Sequence, residues 1–109
     1  MGEITDVQIE DIELGSGDEC APGATVDVHY RGTLMDGTEF DSSYGRGESV
    51  EFPLGRLIQG WQEGIPGMKV GGKRKLTIPW SKGYGEHGSP PSIPPRADLV
   101  FEIELLGVS

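Results

Sequence analysis

The chain of 109 residues reads as an α+β domain: an antiparallel β-sheet of about five strands wrapped around one short α-helix. Three observations predict it. Apolar and polar residues alternate in several short segments, which marks half-buried strands. Only one stretch, Leu57 to Ile65, has helical phasing. Glycine and proline, 18 and 8 in number, are frequent enough to turn the chain between all of these segments.

The elements follow in order. Val7 and Ile9 alternate, as do Ile12 and Leu14, but the phase flips between the two pairs, so this first strand carries a bulge or kink. Val26, Val28 and Tyr30 alternate with Asp27, His29 and Arg31, a strand with one wet face. Asp36-Gly37 turns the chain tightly back toward Phe40. Val50, Phe52 and Leu54 form another alternating strand, and Pro53 places it at an edge or bulge. The helix is read from Leu57 to Ile65, with Ile58, Trp61 and Ile65 on one face and Pro66-Gly67 marking its end. Gly60 and Gly64 each cost roughly 1 kcal/mol relative to alanine in a helix, so close approach by another element is expected there. Gly71-Gly72 leads into a strand carrying Leu76 and Ile78. A 13-residue loop from Gly83 to Pro95 holds three Gly and four Pro, a length that points to function or disorder. Leu99, Phe101, Ile103 and Leu105 then alternate with Val100, Glu102 and Glu104 in a closing strand.

Composition narrows the function. Residues 1–109 are expected to form a single domain, without repeat or linker. No apolar run approaches the roughly 20 residues of a membrane span. The start, Met-Gly-Glu-Ile-Thr-Asp, lacks the basic and apolar regions of a signal peptide, so a cytoplasmic protein is expected. Gly2 suggests no myristoylation, because Asp6 stands where Ser or Thr is required. One cysteine, Cys20, excludes an internal disulfide and a cysteine-cluster metal site. A formal charge of −9 argues against nucleic acid. Thirteen of the 18 acidic residues precede Phe52, and five of the nine basic ones fall between Lys69 and Lys82. That basic run is read as a solvated hairpin face.

Signatures of covalent or metal catalysis are missing. Gly71-Gly72-Lys73-Arg74 lacks the spacing of a phosphate-binding loop, and Ser42-Ser43 has no nucleophile-elbow context. Of the two histidines, His29 reads as a strand-face residue, while His87 lies in the long loop within reach of a ligand. No metal and no cofactor are expected. What remains is a collection of aromatics: Tyr30, Phe40, Tyr44, Phe52, Trp61, Trp80, Tyr84 and Phe101. Phe52 is assigned to the core. Tyr30 and Tyr84 carry hydroxyls that need partners when buried, and Asp41, next to Phe40, would put a carboxylate at a pocket rim. An apolar pocket with a few placed polar groups describes a small-ligand site.

Several blocks resemble the FKBP-type peptidyl-prolyl isomerases: Val26-Asp27-Val28-His29-Tyr30-Arg31-Gly32, Asp36-Gly37-Thr38-Glu39-Phe40-Asp41-Ser42-Ser43, and Ile58-Gln59-Gly60-Trp61-Gln62-Glu63-Gly64. Tyr84-Gly85, Ile93-Pro94-Pro95 and Leu99 to Leu106 match that family's flap and final strand, so the similarity runs in order over nearly the whole chain. The resemblance implies a sheet wrapped around one short helix, and a pocket floored by Trp61 and walled by Tyr30, Phe40 and Phe101. It places Leu57 and Ile58 where the loop enters the helix, with the Ile58 N–H in the helix's first turn offered to a ligand carbonyl. Tyr84 would donate its hydroxyl from the flap and Ile93 would close over the bound ring. Asp41 would hold the Tyr30 hydroxyl or the ligand, with Arg46 beside it. Val50 stands at a position that is often aromatic in the family, which thins one wall, and His87 belongs to the same ligand-binding set. Trp61 is expected to touch ligand and Phe52 is not.

The implied activity is cis–trans isomerisation of X-Pro bonds, assisting protein folding. The partners would be proline-containing peptides, unfolded or partly folded proteins, and macrolides of the rapamycin type. A monomer is expected, with no nucleic acid and no membrane. The alternative is a non-catalytic chaperone or proline-segment binding module.

Overall fold

A computed structural model describes residues 6–109. The readings made on Met1 and Gly2 lie outside that range. The strands are β1 (Gln8–Glu13), β2 (Thr25–Leu34), β3 (Glu39–Ser42), β4 (Val50–Pro53), β5 (Lys73–Ile78) and β6 (Leu99–Val108), with one helix, α1 (Gln59–Gly64). All pairings are antiparallel, in the order β1-β5-β6-β2-β3. The sixth strand comes from a split edge. Along the side of β2 away from β6, β4 pairs with Thr25 to Val28 and β3 with Arg31 to Thr33. Pro53 sits on β4, which pairs only with β2, so its missing N–H faces no ladder.

The alternating residues behave as a period of two requires. Val26, Val28 and Tyr30 from β2, Leu76 and Ile78 from β5, and Leu99, Phe101, Ile103 and Leu105 from β6 all point into one core beside Trp61 and Ile65. β1 is different. Its register shifts between Asp11 and Glu13, the bulge that the phase flip predicts, yet every residue of the strand is exposed. Ile9 and Ile12 remain about half exposed because β1 is the outermost strand, beyond β5, where the short helix makes its sheet contacts.

The helix is shorter than its phasing suggests. Leu57 (φ −97°, ψ 171°) and Ile58 (φ −58°, ψ 151°) are extended, so Ile58 is the N-cap and its N–H precedes the first turn instead of lying within it. Gly60 and Gly64 are explained by contact with β5. A Cβ on Gly60 would meet Ile78 Cγ2 at 2.5 Å, and one on Gly64 would meet Leu76 Cδ1 at 2.6 Å. The helix therefore lies directly on the sheet, and this contact seats Trp61 in the core. Gly60→Ala is expected to lower stability by about 1–2 kcal/mol, because overpacking outweighs the gain in helix propensity. Gly64→Ala should cost less, since the Leu76 methyls it meets lie at the end of a more flexible side chain. Urea unfolding of both variants checks this, and an unchanged midpoint for Gly60→Ala would count against it.

The basic run is not uniformly solvated. Arg74 is buried, with its Nε 2.6 Å from Asp11 Oδ1 and its Nη1 donating to the carbonyls of Gly64 (2.8 Å) and Pro66 (3.3 Å). It joins β1 to β5 and satisfies carbonyls at the C-terminal end of α1, which a six-residue helix otherwise leaves open. Lys73 and Lys75 do stand on the outer face, opposite Glu104 and Glu102 of β6.

Candidate functional site

Between the helix and the split edge of the sheet lies a cavity of about 230 Å³. Tyr30, Phe40, Asp41, Leu57, Ile58, Trp61, Tyr84 and Phe101, all singled out in the sequence, line it. Phe52 lines it too, which corrects its assignment to the core alone. β4 ends just before the turn that leads into the helix, and its alternation aims Phe52 inward, 5.8 Å from Trp61 and at right angles to it.

The remaining predicted residues fall elsewhere. Arg46 is held at the rim by Asp41 and Tyr30. Val50 is half-buried in the ladder opposite Val28 and does not line the cavity. Ile93 is buried in the core and is not among the residues that line the cavity; Ser89 and Ile93 exchange backbone hydrogen bonds of 2.8 and 2.9 Å. His87 is exposed on the long loop and is not among the lining residues. That loop is itself tied down, with Gly85 N–H on Trp80 O and Arg96 N–H on Gly85 O.

Most of the aromatic walls meet edge to face, while Tyr30 is tilted by 56° and 52° to Phe52 and Phe101. Trp61 makes T-shaped contacts with Phe101 (5.1 Å), Tyr30 (5.4 Å) and Phe52, and Phe40 stands at 88° to Phe101. Edge-to-face pairs of this kind hold ring planes in place. Trp61 Nε1 is buried with no hydrogen-bond partner among the described residues. Gly32 escaped the sequence reading. A Cβ there would meet Phe40 Cζ at 2.6 Å and Phe101 Cε1 at 2.8 Å, so only glycine leaves room for both rings. A glycine inside an alternating strand is the available signal for such close approach.

One side of the cavity is polar. Tyr30 donates its hydroxyl proton to Asp41 Oδ2 at 2.6 Å. Asp41 Oδ1 accepts from Arg46 Nη1 (2.9 Å) and from the Ser42 N–H (2.9 Å), while Arg46 Nη2 donates to the Tyr30 hydroxyl at 3.1 Å. Burial pushes the Asp41 carboxyl up, but the hydrogen bonds from Tyr30, Arg46 and Ser42 outweigh it and hold the carboxyl below the usual range. Burial, reinforced by Asp41, raises Tyr30, and the same two causes raise Tyr84. A depressed carboxylate contributes stability above its unfolded value of about 4 and loses it only as pH falls further, whereas raised phenols stay protonated past about pH 10. Activity is therefore expected to show no loss from these three groups between about pH 5 and 10. A rate profile that breaks at pH 9 with Tyr84→Phe insensitive to it would argue otherwise.

Ile58 lines the same cavity, and its N–H has no acceptor among the described residues. No group of His, Cys, Asp and Glu able to hold a metal ion occurs among them either. A smaller cleft of about 100 Å³ borders Asp11, Met68 and Arg74, but the charges of Asp11 and Arg74 there are already spent on each other. The aromatic cavity is thus the candidate site: largely apolar, ringed by aromatics, with the Tyr84 hydroxyl and the Ile58 backbone among its lining residues.

Comparison with known proteins identifies the family. The family model described as FKBP-type peptidyl-prolyl cis-trans isomerase matches residues 17–106. An FK506-binding protein of Neisseria meningitidis serogroup B is 53% identical over 102 residues, covering 92% of this chain and 94% of its own. Peptidyl-prolyl cis-trans isomerase FPR2 of Saccharomyces cerevisiae is 50% identical over 114 residues, covering 98% of this chain and 84% of its own. Among solved structures, FkpA from Escherichia coli superposes with a TM-score of 0.88 at 48% identity, over 94% of this chain and 48% of FkpA. AtFKBP13 does so with a TM-score of 0.86 at 38% identity, over 94% of this chain and 93% of its own. With that fold and that similarity along nearly its full length, the chain belongs to the FKBP-type peptidyl-prolyl cis-trans isomerases and is an enzyme of that type.

Proposed function

We propose that the aromatic cavity is where this isomerase takes an X-Pro segment of an unfolded or partly folded protein, and that it also accepts macrolides of the rapamycin type. The observation that carries the reading is the enclosure of a cavity of about 230 Å³ by Trp61, Tyr30, Phe40, Phe52 and Phe101 beside unpaired donors. A proline ring is apolar and compact, and Trp61 would form the surface it rests on.

The mechanism needs no nucleophile. Uncatalysed rotation about the X-Pro bond faces a barrier of about 18–20 kcal/mol, which is lost amide resonance. The planar amide carries more charge separation than the twisted one, so a dry aromatic site disfavours the ground state more than the transition state. The Ile58 N–H and the Tyr84 hydroxyl would hold the flanking carbonyls, confining rotation to one bond. Asp41, kept ionised by Tyr30 and Arg46, would orient the Tyr30 ring as a wall and present a carboxylate at the rim. An acceleration of about 10⁴ would require about 5.4 kcal/mol of such differential binding.

Isomerisation of an X-Leu-Pro-Phe peptide tests this reading. The protein should accelerate exchange at micromolar concentration, and Asp41→Leu should cut kcat/KM by about tenfold while leaving the fold intact, since a wall and a rim charge are lost together. An Asp41→Leu enzyme as fast as the parent would sink the assigned role. A macrolide should also change Trp61 emission in a Trp80→Phe background, where Trp61 is the sole indole.

A further inference from the structure

Ser43 is fully buried, yet no part of the proposed reaction uses it. It sits where the edge of the sheet splits between β3 and β4, and it stands in for the missing strand opposite Tyr30. Its N–H donates to the Tyr30 carbonyl at 2.9 Å. Its Oγ accepts the Tyr30 N–H at 2.7 Å and lies 3.3 Å from the same carbonyl. On its other side Oγ is 2.9 Å from His29 Nδ1. Tyr30 is thereby gripped at both backbone polar groups, while its phenol binds Asp41 at the cavity.

A hydroxyl has one proton to give. With Nδ1 of a neutral imidazole as acceptor, Ser43 gives that proton to His29 and leaves the Tyr30 carbonyl to the Ser43 N–H alone. With Nδ1 protonated, His29 donates instead, and the hydroxyl proton turns to the Tyr30 carbonyl. Both arrangements satisfy every group: a neutral ring that carries its proton on Nε2 takes the first, and the imidazolium, like the neutral Nδ1–H tautomer, takes the second. The His29 ring is half-buried and stacks on Tyr44 at 4.8 Å and 14°, and Tyr44 in turn donates to Glu104, the register partner of His29 on β6. The neighbouring charges are Asp27 and Arg31 along β2, Glu102 beside Glu104 on β6, and Glu51 opposite Asp27 on β4.

We propose that Ser43 and His29 are positioning residues of the isomerase, forming a relay that carries the protonation state of an outer-face imidazole through the Ser43 hydroxyl to the Tyr30 backbone. The relay rests on the reading that Tyr30 walls the substrate cavity, but its test does not. An imidazole changes charge between about pH 5 and 8, so ¹H–¹⁵N spectra of the full chain across that interval should show the Tyr30 amide proton and the His29 ring protons moving with one midpoint. His29→Asn keeps a hydrogen-bonding atom near the Nδ1 position without the titration; the protein should stay folded and the Tyr30 amide should become pH-independent. Ser43→Ala should uncouple the two groups as well, leaving His29 to titrate while Tyr30 does not follow. A Tyr30 amide that is flat in the parent protein, or that titrates unchanged in His29→Asn, overturns the relay. Loss of the peptide activity with the coupled titration intact would instead count against the cavity's assigned role and support the relay.

Discussion

Trp61→Ala is expected to remove about 3–5 kcal/mol of stability, the range for deleting a large aromatic from a packed interior. Against a total of about 5–15 kcal/mol for a domain, that is a large share. The loss has identifiable parts. The indole is almost wholly buried and makes near-perpendicular contacts with Tyr30, Phe52 and Phe101, so its removal takes an edge-to-face partner from each of three rings. The helix that carries it cannot collapse into the space, because Gly60 and Gly64 already touch Ile78 and Leu76. Isomerisation should fall with stability, and by more than the unfolded fraction accounts for, since the proposed surface for the proline ring is gone. The measurement is urea unfolding together with the peptide assay at a temperature where the variant is folded. A variant that is destabilised but fully active per folded molecule would place the substrate elsewhere.

Arg74→Met is the second large change, with an expected loss of about 2–3 kcal/mol despite nearly unchanged side-chain volume. Its guanidinium is charge-assisted on both sides, toward Asp11 and toward the carbonyls of Gly64 and Pro66. Asp11 is about one-third exposed and can return to water, which lowers the cost below that of breaking a fully buried pair. The Gly64 carbonyl has less recourse, because its bond to Arg74 is buried. The effect should persist at high salt, unlike that of the exposed Arg31–Glu39 pair, whose partners are nearly half exposed. Thermal unfolding at low and high ionic strength separates the two, and a loss that vanishes in salt would refute the buried role.

The same contrast shows how far the linear chain can be read. Val26, Val28 and Tyr30, and likewise Leu99, Phe101, Ile103 and Leu105, announce their inward faces because a strand's side chains alternate and burial follows that period. Tyr30, Phe40, Asp41, Trp61 and Tyr84 were legible through their match to a known family's blocks, and the structure brings all five to one cavity. Ile9 and Ile12 alternate in the same way as core residues and remain exposed, since periodicity does not say which strand lies outermost. The start of the helix was misplaced because the apolar period continues through residues whose backbone is extended.

By itself, then, the sequence determined the fold class, the strand faces, the bulge in β1 and most of the aromatic set that lines the cavity. Tertiary structure alone decided that Phe52 joins that set and that Gly32 makes room for two of its rings. It also decided that Arg74 closes a helix rather than coating a surface, and that Ser43 replaces a strand beside Tyr30. The physical reason is shared by all four. Alternation and propensity are local properties of neighbouring residues, whereas these roles arise between groups as far apart as Asp11 and Arg74, separated by 63 positions and meeting at 2.6 Å.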